Sequence, residues 1–318
     1  IINLIQTGQV GELANTYQAN GLQGSQNFFR NPLGFGMNLM TNYSNSTYNG
    51  LQVEVNRRYA KGLQLQGSYT YSKVMSDAAG NTQSNFEPFL DAANAGIEKA
   101  RASDFDVTHV FKVNGSYALP FGKGQTFDPH NAILNRVVSG WRTGVILGVQ
   151  SGQPFSVFAG SRGTLNRGGR STKNTATTTL NKSQLDDLFQ FRMTGNGPYF
   201  VAASAIGPDG RAVAPDGATP FTGQVFFNPT AGNIGALQKN YFSGPSIWSY
   251  DMTMAKETRL FERHTLELRV DALNLFNHPT FQIGDQNINS TTFGKITSTG
   301  TALSATRRLV QIGLTYRF

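Results

Sequence analysis

The chain has 318 residues, a mean hydropathy of −0.30 and no run approaching the roughly 18–20 apolar residues of a membrane-spanning helix, so spanning helices are excluded. The absence of cysteine removes disulfides, thiolate metal sites and cysteine nucleophiles. The net charge of +8 comes without a Lys/Arg block, which argues against a nucleic-acid partner and leaves anionic lipid heads as a match for the basic surface. The first residues, Ile1-Ile2-Asn3, include neither an initiator Met nor a signal peptide, and the chain reads as a C-terminal piece of a longer exported protein.

Seven segments alternate apolar and polar side chains with the period of a half-buried strand. The first runs from Tyr48 to Arg58, with Leu51, Val53 and Val55 opposite Gln52, Glu54 and Asn56. Ala60-Lys61-Gly62 turns the chain into the second, where Leu63, Leu65, Gly67, Tyr69 and Tyr71 oppose Gln64, Gln66, Ser68 and Thr70. The third, Asp106 to Leu119, sets His109, Phe111, Val113 and Tyr117 against Thr108, Lys112, Asn114 and Ser116. Asn131 to Val138 is compatible with two turns of helix, and the fourth strand begins at Trp141 with Thr143, Val145, Leu147 and Val149 on its apolar side. Trp248, Tyr250, Met252 and Met254 mark the fifth, and Phe261-Glu262-Arg263-His264 connects it to the sixth (Leu266, Leu268, Val270, Ala272). The seventh alternates Val310, Ile312, Leu314, Tyr316 and Phe318 with Gln311, Gly313, Thr315 and Arg317.

The connections alternate in length. Those after strands one, three and five are short or moderate, whereas 76–104, 160–246 and 277–305 are long. Short periplasmic turns and long extracellular loops are the habit of outer-membrane barrels. Strands of about eleven residues at roughly 3.3 Å each, tilted about 45°, rise near 25 Å, the height of such a barrel's apolar band. The expected fold class is therefore all-β, an antiparallel transmembrane β-barrel of which this chain supplies about seven strands. Residues 1–46 are expected as an extracellular loop and 47–318 as barrel strands with the three long loops. An open seven-stranded sheet needs upstream strands, or copies of itself, to satisfy its edges in lipid.

Several stretches carry a family likeness. Gln311, Gly313, Tyr316 and Phe318 are spaced as in the C-terminal signal by which barrels are recognised for insertion, which implies the barrel-assembly machinery as a partner. Val270-Asp271-Ala272-Leu273-Asn274-Leu275-Phe276-Asn277 resembles the Asn-Leu-Phe-Asn signature of the penultimate strand in TonB-dependent receptors. Phe105-Asp106-Val107-Thr108-His109-Val110-Phe111, then Ala118-Leu119-Pro120-Phe121-Gly122-Lys123-Gly124, resembles a strand and periplasmic turn of the Oar-like receptors, which carry an N-terminal carboxypeptidase-regulatory-like domain. Gly140-Trp141-Arg142, leading to Gly148-Val149-Gln150-Ser151-Gly152-Gln153-Pro154-Phe155, is similar to the next strand, and Ser46-Thr47-Tyr48-Asn49-Gly50-Leu51-Gln52 fits too. The resemblance implies the last third of a 22-stranded barrel in the bacterial outer membrane. It also implies transport of a siderophore, oligosaccharide or peptide, with TonB acting through an upstream plug. A barrel for adhesion or secretion, without transport, is the alternative from another class. A soluble all-β binding module is the third, and it requires Leu51, Leu65, Val145 and Leu268 to pack in a core.

Little in the chain points to bond-making chemistry, and neither an enzyme nor a cofactor is expected. His109, His130, His264 and His278 show no metal-ligand spacing, and His109 and His264 read as strand-boundary residues. Gly122-Lys123-Gly124 lacks the rest of a phosphate loop, and no nucleophile elbow is present. Pro208-Asp209-Gly210 and Pro215-Asp216-Gly217 are turn formers, with weak calcium binding by the two aspartates as the competing reading. Asn42, Asn45, Asn114, Asn181 and Asn289 sit in glycosylation sequons. The candidate site residues are Glu54, Lys112, Asp251, Glu267, Arg269 and Asp271, all on polar strand faces. They are expected to line the lumen and touch a plug or cargo, or to form a paired charge ladder. The aromatic and basic residues of 160–246 (Phe189, Phe191, Tyr199, Phe200, Phe221, Phe226, Phe227, Arg162, Arg167, Arg170, Lys173) suit either an outer vestibule or the loop's own core.

Overall fold

The computed structural model describes residues 1–22, 24, 42, 44–77, 99–102, 105–160, 174–299 and 307–318. Seven long strands form one antiparallel meander: β1 (Ser46–Ala60), β2 (Leu63–Ser76), β3 (His109–Ala118), β4 (Trp141–Gln150), β5 (Ile247–Phe261), β6 (His264–Leu273) and β7 (Leu309–Arg317). The two-residue strand Ala100–Arg101 adds to the upper end of β2. All seven expected strands are present, and β2 and β5 run further than the alternation alone marks, to Ser76 and Phe261. Lys61 and Gly62 take positive φ in the β1–β2 turn and Glu262 does so between β5 and β6, which permits the tight reversals. The sheet is open: among the described residues β1 pairs only with β2, and β7 only with β6.

Residues opposite each other in an antiparallel ladder share a face. The register therefore sorts side chains into rows. Val53, Tyr69, Phe111, Val149 and Trp248 form one apolar row, and Trp141, Lys256, Leu268 and Leu314 another nearer the short turns. The opposite face carries Asn56, Gln66, Asn114, Ile146 and Asp251 in one row and Gln64, Ser116, Gly144, Thr253, Asp271 and Gln311 in the next.

The hydrophobic core lies outside this sheet. Only Ala255 and Ala272 are buried apolar residues of the seven strands, while Leu51 is 60% and Ile312 69% exposed. None of Leu51, Leu65, Val145 and Leu268 is buried, which removes the soluble-module reading. In water each such residue would forgo about 1.5–3 kcal/mol of burial, so the apolar face calls for a hydrocarbon environment.

The packed core belongs to the two long loops after β4 and β6. Phe155, Val157, Phe200, Phe226 and Phe242 of the first meet Ile288, Phe293 and Ile296 of the second in one cluster. Their backbones interleave: Phe158 N–H donates to Gln286 O (2.8 Å), Ile288 N–H to Phe158 O (2.9 Å) and Phe200 N–H to Gly294 O (2.9 Å). Of the vestibule candidates, Phe200 and Phe226 are in this core, Phe189 and Tyr199 pack against it, and Phe191 stacks on Phe281. Arg162, Arg167, Arg170 and Lys173 lie outside the described residues.

Among the described residues there are four α-helices, α1 (Ile2–Gln6), α2 (Val10–Ala19), α3 (Ala132–Val138) and α4 (Lys182–Leu188), and a 3-10 turn at Ala203–Ala205. The segment expected as loop thus begins with two helices, and Gly8 approaches Ala231 of the loop layer. α3 is the expected helix of the β3–β4 turn, and Asn131 caps it by accepting from Ile133 and Leu134 N–H.

Candidate functional site

The polar face of β2 to β7 is concave and encloses about 530 Å³ beside Gln64, Asn114, Asp251, Thr253, Arg269 and Asp271. Three of the six candidate residues meet there. Arg269 Nε donates to both carboxylate oxygens of Asp271 (3.0 and 2.9 Å), and Thr253 Oγ1 donates to the same carboxylate at 2.6 Å. Asp271 thus accepts from a guanidinium two positions before it on its own strand and from a hydroxyl on the next. Asp251 accepts from Asn274 N–H at 2.8 Å, closing the top of the concavity.

The other three lie elsewhere on the same face. Glu54 accepts from Gln66 Nε2 (3.0 Å), and Gln66 in turn accepts from Asn114 Nδ2 (3.4 Å), so a carboxylate and two amides bridge three strands. Lys112 shares Glu54's row but is two strands away, with Ser68 between them. Among the described residues no ion pair joins Glu54 to Lys112, and Glu54 is taken up by Gln66. Glu267, towards the short turns, is buried between two cations, with Arg317 Nη2 at 2.9 Å and Arg142 Nη2 at 3.7 Å. Arg317 also reaches Glu257 (3.7 Å). The ladder expected from sequence therefore forms locally, with partners fixed by register.

Arg142, Arg317, Gln66, Asn114 and Thr253 were not among the candidates. Alternation already puts them on the polar face, and only the register brings them to Glu54, Glu267 and Asp271. Asp106 was missed for a different reason. It is fully buried above β2 and β3, where it accepts from Val74 N–H (2.6 Å) and Arg101 Nε (2.5 Å). Arg101 goes on to Ser243 Oγ (2.8 Å) and Thr108 Oγ1 (3.1 Å), fastening the long loop to the sheet. Sequence spacing carries no sign of a contact between residues 101 and 243.

The Asn274–Asn277 stretch also has a physical explanation. Both asparagines adopt positive φ (49° and 52°). Asn274 is buried, donates from Nδ2 to His278 O (2.9 Å) and accepts from His278 N–H (2.9 Å). Asn277 Oδ1 accepts from Arg308 N–H (3.0 Å), so the motif ties the end of β6 to the start of β7. Burial lowers the pKa of His278 below its ordinary value, and its ring packs on Trp248 with centroids 4.2 Å apart.

His109 and His264 are the first residues of β3 and β6 and sit at opposite rims of the apolar face. Each lies against a tyrosine hydroxyl, Tyr69 at 2.8 Å and Tyr316 at 2.5 Å respectively. Tyr316 and Phe318, with centroids 6.1 Å apart, continue that rim on the apolar face, and Gln311 and Gly313 are on the polar one. Asp216 holds its turn by accepting from Ala218 and Thr219 N–H, and Asp209 is paired with Arg211. The sequon residues Asn181 and Asn289 have structural duties: Asn181 closes a capping box, and Asn289 donates to Ala159 O (3.1 Å).

The model of an outer membrane beta barrel domain matches residues 2–311. A search of the curated proteins found no match. A meander with an exposed apolar face, a hydrogen-bonded polar face and long loops gathered at one end has the anatomy of such a wall. The chain belongs to the outer membrane beta barrel domain family and is a protein of the bacterial outer membrane.

Proposed function

We propose that this chain is the wall and extracellular loop layer of a TonB-dependent transporter of the Oar-like kind, importing a scarce nutrient such as a siderophore, oligosaccharide or peptide. The carrying observation is the polar face around Asp251, Thr253, Arg269 and Asp271, a concavity of about 530 Å³ whose side chains hold one another in fixed positions. A rigid, charged inner wall suits a lumen filled by a plug, because the wall must keep its shape while the plug moves. In this reading Glu54, Lys112, Asp251, Glu267, Arg269 and Asp271 face the plug or passing cargo. TonB pulls on that plug through a region upstream, the barrel-assembly machinery inserts the wall, and the wall itself makes no bonds.

The test uses the full-length native protein in its own cells. Uptake of labelled nutrients is compared between wild-type cells, cells lacking this protein and cells lacking TonB. Uptake lost equally in both mutants supports the transporter. Cell or protein binding that persists without TonB, with no nutrient transported, supports the adhesion barrel instead.

A further inference from the structure

The β3–β4 turn is built inside out. α3 turns Asn135 inward, where its Oδ1 accepts from Lys123 N–H (2.9 Å), and leaves Arg136 exposed. Its apolar residues point away from the protein: Ile133 is 77%, Leu134 53% and Val137 59% exposed, with Phe127 of the same turn at 60%. At 100° per residue, Ile133, Val137 and Leu134 cover one continuous stripe. A periplasmic helix bathed in water would present the opposite pattern.

The position of α3 identifies what covers this stripe. Trp141 and Lys256 share a row of the apolar face with Leu268 and Leu314, and both reach the end of α3. Trp141 Nε1 donates to Val137 O (3.0 Å), and Lys256 Nζ donates to Arg136 O (2.9 Å) and Ser139 O (2.7 Å). Gly140 brings the turn so close to β5 that a Cβ there would lie 2.2 Å from Glu257 O. The end of the helix is thus fixed to the lipid-facing side of the sheet near the short turns. Beside the helix, Lys123, Arg136 and Arg259 line a groove of about 670 Å³ together with Asp128 and Glu257, an excess of one cation.

We propose that α3 is an interfacial anchor that lies in the periplasmic leaflet of the outer membrane, with Ile133, Leu134 and Val137 inserted among phospholipid chains. Interfacial helices bury their apolar face about 5–10 Å into the headgroup boundary, and Trp141 sits at the depth where aromatic belts form. Lys256 keeps its ammonium on the helix-end carbonyls while its stem stays in the apolar row. The anchor depends on the membrane position of the sheet and not on what crosses the barrel.

These 318 residues contain no cysteine, so a single introduced cysteine can be labelled selectively once any cysteine elsewhere in the full-length protein is replaced by serine. Ile133→Cys, Leu134→Cys and Val137→Cys, each spin-labelled, are placed in the full-length protein in nanodiscs of phosphatidylethanolamine and phosphatidylglycerol. Leu314→Cys serves as the lipid reference and His130→Cys as the water reference. Each variant is first shown to retain its boiling-dependent gel shift, and three positions on one stripe guard against loss of any one. The expected result is that oxygen relaxes the labels at 133, 134 and 137 more strongly than a water-soluble nickel chelate does, as at 314. Stronger relaxation by nickel, as at 130, would place the stripe in water and overturn the anchor. Protection from both reagents would show that protein covers it, and would overturn the lipid assignment equally.

Discussion

Asn274 shows how much can rest on one side chain in this architecture. It holds a backbone conformation that few residues accept (φ 49°), and its amide closes the turn to His278 with two hydrogen bonds. Asn274→Ala should lose those two bonds at about 1 kcal/mol each and incur about 1–2 kcal/mol of left-handed strain, near 3 kcal/mol in all. Asn274→Gly should recover the strain component alone, and the urea midpoints of the three proteins measure both parts. His278 makes the same turn sensitive to pH. Burial depresses its pKa, so as pH falls through its ordinary value the unfolded chain takes up the proton first and stability is lost. That loss is absent above the ordinary value and complete below the depressed one. The expected outcome is a fall in the melting temperature of the gel-shifting form as pH falls from 7.5 to 5, reduced in His278→Gln. An equal fall in both proteins would place the sensitivity elsewhere.

Between elements, the register converts individual residues into a wall. A cation on the polar face, such as Gln311→Arg, meets Asp271 across the ladder, whereas Ile312→Arg, one residue on, enters the lipid. The lipid-facing change should cost about 2–4 kcal/mol near the bilayer midplane, while the other stays within about 1 kcal/mol. Folding titrations into vesicles separate the two, and similar costs would contradict the face assignment. The Arg101–Asp106 pair makes a different prediction, since it joins the loop layer to the sheet. Asp106→Asn leaves Arg101 at a buried site without its counter-charge and should destabilise by about 3–5 kcal/mol, with Arg101→Met/Asp106→Asn recovering part of the loss. If the double variant is no better than the sum of the singles, the pair acts only through its separate hydrogen bonds. The strands and their faces were legible in the sequence because period-2 alternation survives wherever one side meets lipid and the other does not. The partners of Glu267 and the link from Arg101 to Ser243 were not legible, because strand register and loop packing bring together residues far apart in the chain.

For the whole molecule, the loops were the least readable part. Their lengths were evident, but not that 155–159 and 176–242 would share one core with 281–296 through Phe226, Ile288 and Phe293. A loop core draws its apolar residues from irregular backbone, which imposes no period on the sequence. The sheet beneath has the opposite difficulty, with a legible pattern and an incomplete environment. β1 is exposed along all of its 15 residues, and the outer edge of β7 meets no strand among the described residues. In hydrocarbon each unpaired backbone group on those edges costs about several kcal/mol, so the edges together outweigh the roughly 5–15 kcal/mol by which a domain is usually stable. This chain, produced alone and offered phospholipid vesicles, should therefore form no monomeric species whose gel migration shifts on boiling. Joined to strands that pair with both β1 and β7, it should gain that shift together with protease resistance of the sheet. A shift at concentrations where only monomer exists would mean that the two edges find partners within the chain itself, and the open meander would then have to close on its own strands.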